Sequence, residues 1–266
     1  MNVTESGEFS DNPFQCRKCG ACCRIKGIVR LSDKNIQEIS AALGMSQADF
    51  IANETVLSPD RKCLVLKDRS DGACAMLDES NRCRIYPVRP EKCRTFPYEW
   101  VNQDSDKYCQ GLAELTYHRV ILCLGSNIEP RLAWLDRAET ALRNFPFTRF
   151  IASGGTDETD PVDVPRQFAD LKFLNRILVL ETALSPRDFS SRMHRLEDTL
   201  GRVRSNVRNV PRTIDIDMID YDEEVSDDPE LTLPHPRAAE RAFVTEPLRR
   251  LGIVPDWLRT ASSPTI

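Results

Sequence analysis

The chain of 266 residues has no apolar run approaching the ~18 residues of a membrane-spanning helix; its longest clean stretch is Val120–Leu124. Its first residues, MNVTESGEFSDNPF, are acidic and polar and lack the hydrophobic segment of a secretory signal. There is no excess of positive charge either. A net charge of -5 argues against a general nucleic-acid binder. No internal repeat or low-complexity tract is present. The expectation is a soluble cytoplasmic protein that engages neither nucleic acid nor membrane; protein partners are unknown at this stage.

Two residue types run out part-way along the chain. Nine of the ten cysteines lie between Cys16 and Cys109, and only Cys123 lies beyond. From Thr116 onward every cation except Lys172 is arginine, whereas the first half mixes lysine and arginine. Arginine's planar fork suits phosphate. With 41% hydrophobic and 29% charged residues the chain can bury a core. These shifts predict two domains, joined near Asp104–Tyr117.

In the first half, Ser32–Leu43 carries Ile36, Ile39, Ala42 and Leu43 at helical spacing, with Ser32 as N-cap. Pro59–Tyr98 is short-turned and needs staples, which metal can supply. In the second half, Arg119–Leu124 reads as a buried strand. Leu132, Leu135, Ala138 and Leu142 mark one face of a helix. Residues 147–168, rich in Gly, Asp and Pro, are expected to form a long irregular loop. Phe173–Glu181 reads as a strand, and Ser185-Pro186 starts a helix that Gly201 stops. Thr213–Tyr221 alternates like a strand, and Pro236–Leu251 is expected to be a last helix. The β-α-β-β-α-β order predicts an α+β class, a ferredoxin-like α/β sandwich preceded by a small cysteine-rich metal-binding domain.

Asp215 and Asp217 stand two apart on an alternating strand, so both carboxylates share a face while Ile214, Ile216 and Met218 take the other. Paired hard oxygen ligands suit Mg²⁺. The preceding GRVRSNVRNVPRT brings Arg202, Arg204, Arg208 and Arg212 close to them. Cations for phosphate beside carboxylates for metal is what a magnesium nucleotide requires.

GRVR…PRTIDIDMIDYD followed by LTLPHPRAAERAFVTEPL, with LGSNIEPR and FLNRILVLET upstream, resembles the 6-hydroxymethyl-7,8-dihydropterin pyrophosphokinases of folate biosynthesis over residues 117–258. The resemblance implies that Asp215 and Asp217 hold two Mg²⁺ ions with ATP, and that Arg202 and Arg212 reach the transferred phosphates. It implies ATP-side roles for Glu197, Arg204, His235 and Arg241, and pterin-side roles for Asn175 and Phe243. ATP and the pterin would be the partners, and AMP the leaving product. Three positions depart from the family's pattern. The stretch SGGTDETDPVDVPRQFADLK lacks the family's aromatic and Thr-Pro pair. Asn209 stands where a tryptophan is usual, and Phe173 where a tyrosine is usual. Closure of the pterin pocket by residues 147–168 is therefore left open.

CRKCGACCR supplies Cys16, Cys19, Cys22 and Cys23; Cys74, Cys83, Cys93 and Cys109 follow. Clustered cysteines in a reducing compartment read as metal ligands, as two four-coordinate sites or one larger site, with Cys63 left over. CxxCxxCC and CRIYPVRPEKCRTFP resemble the YkgJ-like cysteine-cluster family over residues 14–112. Zn²⁺, iron and iron–sulfur all suit cysteine-only ligation. Two functions follow: a pterin pyrophosphokinase carrying a metal module, or a metal-binding or metal-sensing protein whose kinase-like half is catalytically degenerate.

Overall fold

The computed structural model describes residues 13–101, 105–162, 164–204 and 210–260, and divides the chain into two units, Phe14–Leu115 and a second from Thr116. In the first unit, serines set where helices begin. Ser32 accepts from the Asn35 amide while the Asn35 side chain accepts from the Ser32 amide, a reciprocal cap that starts α1 (Asp33–Ala42). Ser46 caps α2 (Gln47–Glu54) by accepting from the Asp49 amide, without the reciprocal bond. A two-stranded antiparallel ribbon follows, β1 (Thr55–Leu57) with β2 (Leu64–Leu66), and then the short helices α3 (Glu91–Arg94), α4 (Ser105–Tyr108) and α5 (Gln110–Ala113). Ile36, Ile39, Phe50, Leu66, Met76 and Ile85 make the core. Ala42, expected on the buried face, is exposed; the buried neighbour is Ser40, whose hydroxyl donates to the Gln37 carbonyl.

The second unit follows the expected β-α-β-β-α-β order: β3 (His118–Ser126), α6 (Arg131–Arg143), β4 (Thr148–Thr159), β5 (Phe173–Thr182), α7 (Pro186–Thr199) and β6 (Asp215–Tyr221). It ends with the small ribbon β7 (Ser226–Asp228) and β8 (Leu231–Leu233), then α8 (Ala242–Arg250) and α9 (Asp256–Thr260). The four-stranded sheet has the order β4-β5-β3-β6 with every neighbour antiparallel. Helices α6 and α7 pack on one face and α8 on the other. No helix among the described residues is long and apolar enough to cross a membrane.

One expectation fails here. Residues 147–168 are not a long loop: their first half is the edge strand β4, paired with β5 from Thr148↔Thr182 to Thr159↔Phe173. None of its residues is fully buried, and its register shifts twice, between Phe150 and Ala152 and between Ser153 and Thr156. An edge strand broken by bulges shows no period of two, so its pattern does not reveal it. The last helix also begins later than Pro236. The His235 amide is already spent on the Ile219 carbonyl and Pro236 has no amide to give, so segment 234–238 is tied to β6 instead of coiling. In α6, Leu135, Ala138 and Leu142 are buried as expected, whereas Leu132 in the first turn faces solvent. The Ser185 cap, Pro186 at the first helical position and Gly201 in the left-handed region just past α7 stand as read from the sequence.

Close packing of α8 depends on one glycine. A Cβ on Gly154 would lie 2.7 Å from the Pro247 Cβ and 3.2 Å from the Ile177 Cβ. Gly154→Ala should therefore push α8 off the sheet and destabilise this unit by about 1–3 kcal/mol, measured by chemical denaturation.

Candidate active site and candidate metal centre

β6 offers Asp215 and Asp217 to the α8 side of the sheet. Asp217 lies opposite Cys123 and Asp215 opposite Gly125, and Cys123 packs in the cluster formed with Val244 and Leu248 of α8. Ile214, Ile216 and Met218 are buried, as the alternation requires. Across β3, Asn175 pairs with Gly125, and a Cβ on that glycine would come within 3.2 Å of the Asn175 Oδ1. The missing side chain leaves the amide and the carboxylates facing one space. The Asn175 amide is aimed by β4, since its Nδ2 donates to the Thr159 hydroxyl at 2.7 Å.

These residues open on a cavity of about 330 Å³, also lined by Arg212, Arg241, Phe173 and Phe243. The Arg212 backbone amide donates to the Asn127 side chain at 2.8 Å, and its Nε lies 3.2 Å from Asp215 Oδ2. Arg241 approaches Asp217 at 3.6 Å. Arg202, Arg204, Glu197 and His235 do not line this cavity. The Arg202 guanidinium bridges Glu197 and Asp215. Glu197, only 1% exposed, accepts from the Ile216 amide at 2.7 Å and from Arg204 at 2.7 Å. Burial pushes Glu197 up to about 7, with Arg202 pulling the other way. Burial, reinforced by the charge of Asp215, pushes Asp217 up to about 6. Two carboxylates on one strand face, one short of positive charge, make a donor set that fits a divalent cation. His235 Nδ1 accepts from the Arg237 amide at 3.1 Å, which leaves Nε2 as the donor nitrogen, and burial lowers the pKa of the ring.

In the first unit, a cavity of about 140 Å³ is lined by all eight expected cysteines: Cys16, Cys19, Cys22, Cys23, Cys74, Cys83, Cys93 and Cys109. Cys63 stands elsewhere, beside the Arg30 guanidinium at 3.2 Å. Gly20 makes the bend possible. Its φ of 75° is left-handed, and a Cβ there would lie 2.5 Å from the Asn81 carbonyl oxygen. The Cys74 amide donates to the Cys23 carbonyl at 2.8 Å, which ties the CxxC turn to the later cysteines. The Cys23 thiol donates to Cys22 and Cys83, holding both below the usual thiol range, and the positive charge of Arg89 adds to this. Burial pushes Cys74 up to about 11 and Cys93 up to about 12. Soft sulfur donors in this number suit zinc or iron. Among the described residues no three donors already stand at ligating positions.

The sequence model of the 7,8-dihydro-6-hydroxymethylpterin-pyrophosphokinase family matches residues 121–252. A pyrophosphokinase named for 2-amino-4-hydroxy-6-hydroxymethyldihydropteridine, from Pseudomonas aeruginosa, is 35% identical over 137 residues, which is 50% of this chain and 80% of that protein. The chain belongs to the 7,8-dihydro-6-hydroxymethylpterin-pyrophosphokinase family. Pyrophosphokinases of the same name from Bacillus subtilis (35% identical; 49% of this chain, 75% of that protein) and Methylorubrum extorquens (37%; 50% and 82%) agree. Residues 15–110 match a second family model, CxxCxxCC, described as a candidate zinc- or iron-chelating domain.

Within the pyrophosphokinase unit, the structure gathers Asp215, Asp217, Arg212, Arg241, Asn175 and Phe243 around one cavity. Arg202, Arg204 and Glu197 form a charged bracket attached to it through Asp215 and Ile216, and His235 is fixed to β6. Arg208 and Asn209 lie outside the described residues. Sequence reasoning missed Thr159, Asp160, Arg237 and Glu240, which also line the cavity. Arg237 was visible inside LPHPR. Thr159 was not, because its role depends on β4 being a strand.

Glu197 supplies a pH signature. Its folded pKa of about 7 lies above its ordinary value of 4.5, so the native state binds the extra proton. Its contribution to stability is full below pH 4.5 and is lost as pH rises through about 7. The thermal midpoint of the pyrophosphokinase unit should fall over that window, and Glu197→Gln should flatten the slope in pH-dependent thermal unfolding.

Proposed function

We propose that this protein transfers the pyrophosphoryl group of ATP to the hydroxymethyl oxygen of 6-hydroxymethyl-7,8-dihydropterin, releasing AMP. The observation that carries the reading is the convergence of Asp215, Asp217 and Arg212 with Asn175 and Phe243 on one cavity, a phosphate-and-cation side meeting a ring-binding side. Asn175 would hydrogen-bond the pterin edge, its orientation set by Thr159, and Phe243 would stack on the ring. Asp215 and Asp217 would hold Mg²⁺, which when bound supplies charge neutralisation for the triphosphate.

The substrate oxygen attacks the β-phosphorus as the bond from that phosphorus to the α-phosphate bridging oxygen breaks; the hydroxymethyl proton is released. No covalent enzyme intermediate is needed, so the chain's own work is alignment and neutralisation. Arg212 and Arg241 already lean on Asp215 and Asp217, and Arg202 spans Glu197 and Asp215. Anionic phosphates would draw these guanidinium groups away from the carboxylates, freeing the carboxylates for the cation. Glu197 and Arg204 set the resting place of Arg202, and His235 would offer its Nε2 proton on the nucleotide side.

The functional divisions we assign are 117–258 for transfer and 14–112 for thiolate binding of zinc or iron through Cys16, Cys19, Cys22, Cys23, Cys74, Cys83, Cys93 and Cys109. A reducing cytoplasm suits these unpaired thiols. The test is AMP release from Mg²⁺·ATP and 6-hydroxymethyl-7,8-dihydropterin. Asp217→Ala should reduce turnover to background with unchanged circular dichroism, because the side chain faces the cavity and not the core. Arg212→Ala should cost about 10²–10³-fold in kcat. Turnover near wild type in Asp217→Ala would sink the assignment.

A further inference from the structure

Arg131 stands at a position that its charge disfavours and its contacts explain. It is the first residue of α6, where the helix dipole repels a cation, and the first turn holds no acidic residue. Its guanidinium is spent outside the helix. Nη1 donates to Glu158 Oε2 at 2.9 Å and to the Lys172 carbonyl at 3.1 Å. Nε donates to Glu129 Oε1 at 2.8 Å, and Glu129 also accepts from the Arg131 amide at 3.1 Å, so the side chain is braced at its own base. With these charge-assisted bonds it is only 22% exposed.

The two outer partners each adjoin a residue of the cavity that holds Asp215 and Asp217. Glu158 precedes Thr159 and Lys172 precedes Phe173; Thr159 and Phe173 are the last registered pair of β4 and β5, and both line that cavity. Lys172 extends the network, since its Nζ pairs at 3.2 Å with Asp160 Oδ1, another lining residue. This end of the sheet needs such a hold. β4 is an edge strand whose register shifts between Ser153 and Thr156, so the pairing beyond the bulge is short. Successive residues there are held by arginines: Thr156 by Arg176 at 3.0 Å, Asp157 by Arg250 at 2.6 Å and Glu158 by Arg131. Arg176 belongs to β5 itself, and Arg250 bonds β4 at Gly154 and Asp157. Arg131 reaches from a helix to both sides of the terminal pair.

We propose that Arg131 is a positioning residue for the pterin: it clamps the end of the β4–β5 pair through Glu158 and the Lys172 carbonyl, and so fixes the Thr159 hydroxyl that aims Asn175 and the ring of Phe173. The assignment rests on the pterin pyrophosphokinase reading of the cavity. A planar fork suits the task, because it can hold a carboxylate and a carbonyl at fixed angles where a rotating ammonium cannot. Phe173 also lies 5.4 Å from the Arg212 guanidinium, but Arg212 keeps its own anchors at Asn127 and Asp215, so the phosphate side does not rest on the clamp.

The experiment uses the full chain with Mg²⁺·ATP and 6-hydroxymethyl-7,8-dihydropterin. Turnover is read by AMP release, and binding by calorimetric titration of the pterin with a non-hydrolysable ATP analogue present. Arg131→Ala should raise the KM and Kd for the pterin by about 10–100-fold, while kcat and the KM for ATP stay within about threefold. Arg131→Lys should recover only a small part of that loss. Glu158→Ala removes the same bond from an exposed side chain and should act in the same direction, and adding it to Arg131→Ala should cost little more. Arg119→Ala, which removes an ion pair with Glu223 at the opposite end of β3, should leave both KM values unchanged. Variants are compared only where circular dichroism is unchanged; should Arg131→Ala not fold, Glu158→Ala carries the test. A pterin KM within about twofold of wild type in the folded variants overturns the clamp and leaves the function reading standing. So does a loss shared equally by kcat and both KM values that tracks a lowered thermal midpoint. A wild-type chain that neither releases AMP nor binds the pterin overturns the function reading, and the role assigned to Arg131 with it.

Discussion

A single buried carboxylate organises the charge of the catalytic half. Glu197 reaches from α7 to the amide of Ile216, the residue between the two cavity aspartates, and at the same time holds Arg202 and Arg204. Burying a charge is costly unless it is paired and hydrogen-bonded, and here both carboxylate oxygens have partners. The strand is thereby fixed at the point where Asp215 and Asp217 must share a face, and the arginine that bridges to Asp215 is fixed with it. The resting site is a set of carboxylates neutralised by guanidinium groups. Under the proposed function, a magnesium nucleotide would bring its own cation and its own phosphates, and so would exchange partners with that set without leaving a charge uncovered.

The side of the cavity that carries Asn175 and Phe243 depends on a different device, the absence of atoms. Gly125 leaves room for Asn175 beside Asp215, and Gly154 lets α8, with Phe243 near its start, approach the sheet. Asn175 is aimed by Thr159 from the edge strand. Specific recognition of a heterocycle edge needs an amide that cannot rotate freely, and the side-chain hydrogen bond from β4 supplies that restraint.

The cysteine unit uses the same economy of backbone. Its apolar core is small, built from α1, α2, the β1-β2 ribbon and two turn-borne residues, Met76 and Ile85. The remainder is turns whose cysteines meet at one cavity. A segment with so few regular hydrogen bonds gains rigidity from cross-links, and thiolate–metal bonds are the cross-links its composition provides.

What the sequence determined by itself is what depends on near neighbours. The Ser32 and Ser185 caps, the stop at Gly201, the alternation that places Asp215 and Asp217 together and the CxxC spacing are all set by contacts a few residues apart. What only the tertiary structure decided depends on register and edges. β4 exists because β5 has an edge to fill, and bulges erase the pattern that would announce it. The helix expected from Pro236 starts at Ala242 because β6 takes the intervening backbone. Asn175 meets Thr159 and Gly125, and Cys23 meets Cys74 and Cys83, only after chain segments far apart in sequence are paired. No local period encodes that pairing, because its stabilisation appears only once the partner strand or turn is already in place.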